Sequence, residues 1–202
     1  MNAKKFLDKV YGLSGSDAVR GFYDDWSDSY DAEVAENGYA TPARCAEALV
    51  RLATPFDTRI LDFGCGTGIS GQAFRQAGFV DLNGVDLSSE MLEQARGKGV
   101  YNELHQIEAG EDLPGGYHVI AAVGVIGAGA APPEAFDSVM AALEPGGRFV
   151  FSFNDHALAQ PEFSAKLEEH LAANTRLLFE EHGPHLPKID VQSTVYVVEK
   201  KK

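Results

Sequence analysis

Between about residues 59 and 153, short β-branched or apolar runs alternate with segments whose apolar residues recur at helical spacing. The runs at 60–63, 82–86, 101–107, 117–123 and 148–153 read as strands. Segments 69–77 and 90–96, and the stretch from Pro132-Pro133 to residue 143, read as helices. Ser88 and Ser89 are N-cap candidates, Gly78, Gly97 and Gly99 are stop signals, and Glu144-Pro145-Gly146-Gly147 reads as a turn. Such alternation predicts an α/β fold with a parallel sheet covered on both faces. The ends differ from this middle. Residues 1–53 read as helical and carry the aromatics Tyr23, Trp26, Tyr30 and Tyr39 among acids. The C-terminal part predicts a helix over 161–173 and strands at 176–179 and 193–198, with a turn at His182-Gly183-Pro184-His185-Leu186-Pro187 between them. That link is too short for a crossover helix, so the last two strands are expected to pair antiparallel.

Composition narrows the class of protein without naming its chemistry. A chain of 202 residues, 45% hydrophobic and 23% charged, suits one domain with one sizeable core. Here the expected division is a helical lid over 1–53 and a core over 54–202. Seventeen Lys and Arg against 30 Asp and Glu leave a net charge of -13, which disfavours nucleic acid and anionic membrane as partners. Two cysteines, Cys45 and Cys65, make no disulfide framework, and with no apolar run near the N-terminus that resembles a signal segment, a cytoplasmic location is expected. The longest apolar stretch, 119–133, is too short to span a bilayer. His182 and His185 have ligand-like spacing but no companion cysteines or carboxylates, so no metal site is expected.

The chemistry concentrates in Asp62-Phe63-Gly64-Cys65-Gly66-Thr67-Gly68, where three glycines at spacing two stand between a strand and a helix. Lacking side chains, they let the backbone approach a ligand closely. Asp86 ends the next strand 22 positions after the first glycine, where a carboxylate can receive ribose hydroxyls. Two frames compete. Gly66-Thr67-Gly68-Ile69-Ser70-Gly71 matches the G-x-G-x-x-G of a dinucleotide site, whereas Asp62, Gly64, Gly66 and Gly68 taken together need no phosphate and account for Asp62 as well.

The run from Ile60 to Gly68 resembles the first signature of class I S-adenosylmethionine-dependent methyltransferases. Gly84-Val85-Asp86-Leu87-Ser88 with Met91-Leu92 resembles that family's second signature, and Leu143-Glu144-Pro145-Gly146-Gly147-Arg148 its turn into strand five. Tyr23-Asp24-Asp25-Trp26 and Gly99-Val100-Tyr101 are similar to the small-molecule branch, in particular to the methyltransferase-like proteins of the Williams-Beuren region. The resemblance implies a Rossmann-like three-layer sandwich whose seven-stranded sheet is parallel except for its last strand. It implies S-adenosylmethionine as cofactor. By the same resemblance, Asp62, Gly64, Cys65, Gly66 and Gly68 lie at the methionine portion, Asp86 at the ribose, Leu87 and Met91 at adenine, and Glu108 and Ala109 at the adenine amino group. Gly124 falls near the sulfonium, with Trp26 and Tyr30, four residues apart on one helix face, as a lid.

A general base is needed only if the acceptor must first lose a proton. The loop Gly124-Val125-Ile126-Gly127-Ala128-Gly129-Ala130-Ala131 has no side chain able to take one, which leaves Asp155 and His156, just after strand five, as the catalytic candidates. His118 stands where the family usually has aspartate. The expected function is methyl transfer to a small-molecule acceptor held between lid and sheet. Two alternatives stay open: a non-catalytic S-adenosylmethionine-binding sensor or partner protein, and an NAD(P)-dependent oxidoreductase. The acceptor and the oligomeric state are not legible in the sequence.

Overall fold

The computed structural model describes Lys9 and residues 15–202, so the rest of the expected N-terminal helical segment lies outside the described residues. The elements are α1 (Ser16–Glu36), α2 (Thr41–Arg51), β1 (Arg59–Phe63), α3 (Ile69–Gln76), β2 (Asp81–Asp86), α4 (Ser89–Lys98), β3 (Glu103–Gln106), β4 (Tyr117–Ala122), α5 (Ala135–Ala142), β5 (Leu143–Asn154), α6 (Asp155–Leu158), α7 (Pro161–Ala173), β6 (Thr175–Leu186) and β7 (Val191–Lys200). One seven-stranded sheet has the order β3-β2-β1-β4-β5-β7-β6. The strands run parallel except β7, which is antiparallel to both β5 and β6.

Side-chain alternation along the strands divides the core into two layers. Ile60, Val119, Val150, Val195 and Val197 face the layer that contains Cys45 and Leu49 of α2 and Phe74 of α3. Their neighbours Leu61, Ile120, Phe149, Phe151 and Val198 face Phe136 of α5 and Phe163 and Leu167 of α7. The expected lid therefore splits. Helix α2 presents Cys45, Ala46, Ala48 and Leu49, all at most 1% exposed, to the sheet, so it is a core helix and only α1 lies over the other elements.

Local signals explain most boundaries. Ser88 caps α4 by accepting from Met91 N–H at 3.0 Å, and Gly99 closes it in the left-handed region. Three segments differ from expectation. The turn 144–147 sits inside β5 as a bulge, the ladder jumping from Tyr117↔Leu143 to Val119↔Arg148. Strand β3 begins at Glu103 and not at Tyr101, because the Tyr101 ring turns away to α3, where its hydroxyl accepts from Gly71 N–H at 3.0 Å. Strand β6 runs through the expected turn to Leu186, and the reversal falls at Pro187–Ile189 and Asp190. Pro184 is tolerated there because β6 is the sheet's edge and carries a register shift between Pro184 and Leu186.

No described helix is long and apolar enough to cross a membrane. A Cβ on Gly71 would stand 2.4 Å from Tyr101 Cζ. Gly71→Ala is therefore expected to destabilise the fold by about 1–3 kcal/mol through overpacking, read as a lower urea midpoint at unchanged slope.

Candidate cofactor and acceptor site

The glycine loop leaves the carboxyl end of β1, the edge of an open α/β sheet where ligands bind. Gly64, Gly66 and Gly68 have φ of +68°, +51° and +90°, values that only glycine adopts without strain. Gly64 N–H and Cys65 N–H both donate to Val85 O, at 2.8 and 3.0 Å, which fixes the loop against β2. A Cβ at Gly66 would meet nothing within 4 Å, so the loop is open there; one at Gly64 would collide with Val125 at 2.6 Å.

Two carboxylates hold the loop. Asp86 Oδ2 accepts from Gly66 N–H at 2.8 Å and its Oδ1 from Ser88 N–H at 2.9 Å. The Leu87 backbone also bonds to this carboxylate, and of its roughly four lone-pair sites these donors leave room for a ribose hydroxyl. Burial raises the Asp86 pKa. Asp62, 1% exposed, accepts from Ser70 Oγ and Tyr101 OH, both at 2.6 Å, through Oδ2, while its buried Oδ1 has no hydrogen-bond partner among the described residues. Desolvation pushes its pKa up to about 6 despite those two donors. Gly71 is accounted for by the Tyr101 ring, and Gly64, outside the G-x-G-x-x-G frame, by Val125. The geometry thus favours the frame that begins at Asp62.

Helix α1 covers this end of the sheet and is tied down by its acids. Asp31 accepts from Thr67 Oγ1 at 2.5 Å and pairs with Lys98 at 2.6 Å. Asp24 accepts from Ser88 Oγ, and Arg20 pairs with Glu108. Glu108 and Ala109 lie exposed at the surface, Glu108 engaged by the covering helix. Leu87 is partly buried, and Met91, on α4, is 1% exposed.

Two adjoining spaces open beneath α1. The smaller, about 270 Å³, is bounded by Gly64, Cys65, Gly66, Thr67, Tyr30 and Tyr39 among others. The larger, about 570 Å³ and open to solvent, has an aromatic wall of Tyr23, Trp26, Tyr30 and Tyr39, a glycine and alanine floor that includes Gly124, and a polar end of Ser152, Asn154 and His185. Trp26 and Tyr30 meet edge to face at 4.7 Å between centroids. Gly124, at φ +70°, leaves room for the Tyr39 hydroxyl, which would lie 2.4 Å from a Cβ there.

Asp155 and His156 do not reach this cleft. They sit exposed in the first turn of α6, where Asn154 is the N-cap and Asp155 Oδ2 accepts from Gln192 N–H at 3.1 Å. The titratable imidazole in the cleft is His185, which belongs to the segment expected to be a turn. Its Nδ1 lies 2.8 Å from Thr41 Oγ1, which lies 3.0 Å from Ser193 Oγ. Arg44, a donor only, gives a hydrogen bond to Ser193 Oγ at 3.0 Å. The Ser193 proton then has Thr41 Oγ1 as its acceptor among the described residues, and the Thr41 proton goes on to His185 Nδ1. The reverse order would strand a buried hydroxyl proton, at a cost of about 1–3 kcal/mol, since Thr41 and Ser193 are both 0% exposed. His185 therefore carries its proton on Nε2. Burial, reinforced by Arg44, lowers its pKa to about 4, so the ring is neutral at pH 7. The sequence signal for His185 is strand length: β7 spans ten residues, and a partner of similar length must extend past His182.

Among the described residues, no group of three or more His, Cys, Asp or Glu is placed to hold a metal. The raised Asp62 pKa carries a stability consequence. A folded pKa near 6 above an ordinary value of 3.8 means that this group's contribution is fully favourable below pH 3.8 and is lost as pH rises to about 6. Relative to Asp62→Asn, the native protein is expected to lose about 2 kcal/mol between pH 4 and 6.5 and to level off above pH 7, measured by denaturant unfolding of both proteins across that range.

A family model described as "Methyltransferase domain" matches residues 38–193. Methyltransferase-like protein 27 of Homo sapiens is 36% identical over 132 residues, an alignment that covers 62% of this chain and 54% of that protein. The chain spans about half the length of the curated relatives it matches. Among solved structures, the [4+2]-cyclase SpnF aligns over 94% of this chain and 98% of its own, with a TM-score of 0.71 at 15% identity. Magnesium protoporphyrin IX methyltransferase from Synechocystis PCC 6803, with bound SAH, aligns over 97% and 93% with a TM-score of 0.66 at 16% identity. These two likenesses show the fold. With the matching family model, the glycine loop and Asp86, they lead to one conclusion: the chain belongs to the class I S-adenosylmethionine-dependent methyltransferase family.

Proposed function

We propose that this protein transfers a methyl group from S-adenosylmethionine to a small molecule held under α1. The observation that carries the proposal is the adjacency of the two spaces, which share Tyr30 and Tyr39, one bounded by the glycine loop and the other by the aromatic wall. A donor bound in the first would present its reacting end to an acceptor in the second. When bound, S-adenosylmethionine supplies a methyl group on a cationic sulfur.

The chain's own residues do the rest. The open backbone of Gly64, Cys65, Gly66 and Gly68, braced by Asp62, holds the methionine portion. The remaining lone-pair capacity of Asp86 receives the ribose, Leu87 and Met91 border adenine, and Glu108 with the Ala109 backbone meets its amino group. Glu108 does so in competition with Arg20, so cofactor entry and the seating of α1 are coupled. Trp26 and Tyr30 turn π-faces and edges toward a site for a cation, an arrangement worth about 0.5–2 kcal/mol. Gly124 keeps the floor low enough for acceptor and donor to approach, and α1 excludes water. With Asp155 and His156 outside the cleft and His185 protonated on Nε2, the cleft offers no evident imidazole base. The proposal therefore favours acceptors that react without losing a proton first. The small size of the acceptor is supported by the volume of the cleft, about 570 Å³, and by the porphyrin substrate named for one structural neighbour.

Thermal unfolding with added ligand tests this reading. S-adenosylmethionine and S-adenosylhomocysteine at a hundredfold over their Kd are expected to raise the midpoint by roughly 5–10 °C, and NAD to leave it unchanged. Asp86→Ala should abolish most of the rise. A shift by NAD alone, or an undiminished shift in Asp86→Ala, would overturn the placement of the cofactor.

A further inference from the structure

The polar end of the larger cleft contains hydrogen-bond donors whose protons have no acceptor among the described residues. Ser152 Oγ accepts from Gly124 N–H at 3.0 Å, and no described residue accepts the Ser152 proton in return. Asn154 spends its carbonyl oxygen on Ala157 N–H at 2.9 Å as the cap of α6, and no described residue accepts from its amide nitrogen. His185 spends Nδ1 on Thr41, and no described residue accepts from Nε2–H. The three come together by topology. Ser152 and Asn154 share one face of β5, two residues apart, and Asn154 pairs with Ser193 of β7, which pairs with Gly183 of β6, two residues before His185.

We propose that Ser152, Asn154 and His185, each with a donor unspent on the described residues, form a donor-rich subsite that recognises the acceptor molecule by a carboxylate, with the aromatic wall of the cleft covering the apolar part of that molecule. This rests on the methyltransferase reading and narrows it to a substrate class. Three donors exceed the two lone pairs of a carbonyl oxygen but suit the roughly four sites of a carboxylate. An ammonium has no lone pair to offer these unspent donors, so it satisfies none of them. None of the described residues that bound the cleft is an acid, and of the acids of α1, Asp24 and Asp31 are spent on Ser88, Thr67 and Lys98 at the glycine-loop end. The charged groups that act on His185 are Arg44, Asp155 and, when protonated, His156, and Arg44 is the one wired to it through Ser193 and Thr41. Its ring stays a neutral donor above about pH 4.

The test is calorimetric titration of benzoate, benzamide and benzylamine into the full chain, free and saturated with S-adenosylhomocysteine. Benzoate is expected to bind, benzamide at least tenfold more weakly, and benzylamine not at all. Ser152→Ala and His185→Ala should each weaken benzoate tenfold or more while leaving the S-adenosylhomocysteine affinity unchanged, which also reports that they fold. His185→Gln, which keeps an N–H donor, should recover part of the loss. Benzoate affinity should be flat from pH 5.5 to 8, and nitrogen NMR of labelled histidine should find the proton on Nε2. Equal or tighter binding of benzylamine or benzamide, a proton on Nδ1, or affinity that climbs as pH falls through about 6.5 would each overturn the subsite. The two readings fail separately. Benzoate binding without S-adenosylhomocysteine binding sinks the cofactor assignment and leaves the subsite standing; the converse sinks only the subsite.

Discussion

The carboxylate of Asp62 is the point on which the glycine loop depends. It is buried at the end of β1, and its two donors come from different elements, Ser70 in α3 and Tyr101 in the lead-in to β3. Tyr101 also accepts from the backbone of Gly71, so one acid joins a strand, a helix and the approach to a second strand directly beneath the loop. Burying that charge is costly, as its raised pKa shows, and only specific donors make it tolerable. The reward is positional. With β1 and α3 locked together, Gly64 to Gly68 have one available path, and their positive φ values are its consequence.

A second set of acids acts one level up. The negative balance of the chain reads as a general property of its surface, yet part of it is local wiring: Asp24 and Asp31 fasten α1 to Ser88, Thr67 and Lys98, and Asp86 fastens the loop from below. With the buried side chains of Val19, Trp26 and Val34, these contacts seat α1 over this end of the sheet. Arg20 on Glu108 belongs to the same class of contact.

Fold and cofactor do not choose the acceptor. A [4+2]-cyclase and a porphyrin methyltransferase both share this architecture, so the reaction must be argued from side chains in the cleft. Those side chains divide sharply here. One wall is aromatic, the floor is glycine and alanine, and the polar end offers donors without matching acceptors. The proton order from Arg44 through Ser193 and Thr41 makes His185 a donor, although imidazoles in such clefts are commonly read as bases.

The sequence by itself determined the alternating core, the glycine loop, the partner acid at Asp86 and the antiparallel final pair. Each of these is written in local periodicity or in residues close together along the chain, where hydrogen-bonding and steric rules act directly. Other features were decided by contacts that no local pattern encodes. Helix α2 joined the core because its small and apolar face met β5 and β7, and Asp155 and His156 stayed at the surface because Asn154 capped the helix that contains them. His185 entered the cleft because β6, as an edge strand, could carry Pro184 and follow β7 to Leu186. Its tautomer depends on residues 141 and more positions earlier in the chain, Arg44 and Thr41, and on Ser193 across the hairpin. Only the tertiary structure brings those groups within hydrogen-bond distance, because the direction of a buried proton chain is set by which donors and acceptors have no water to turn to.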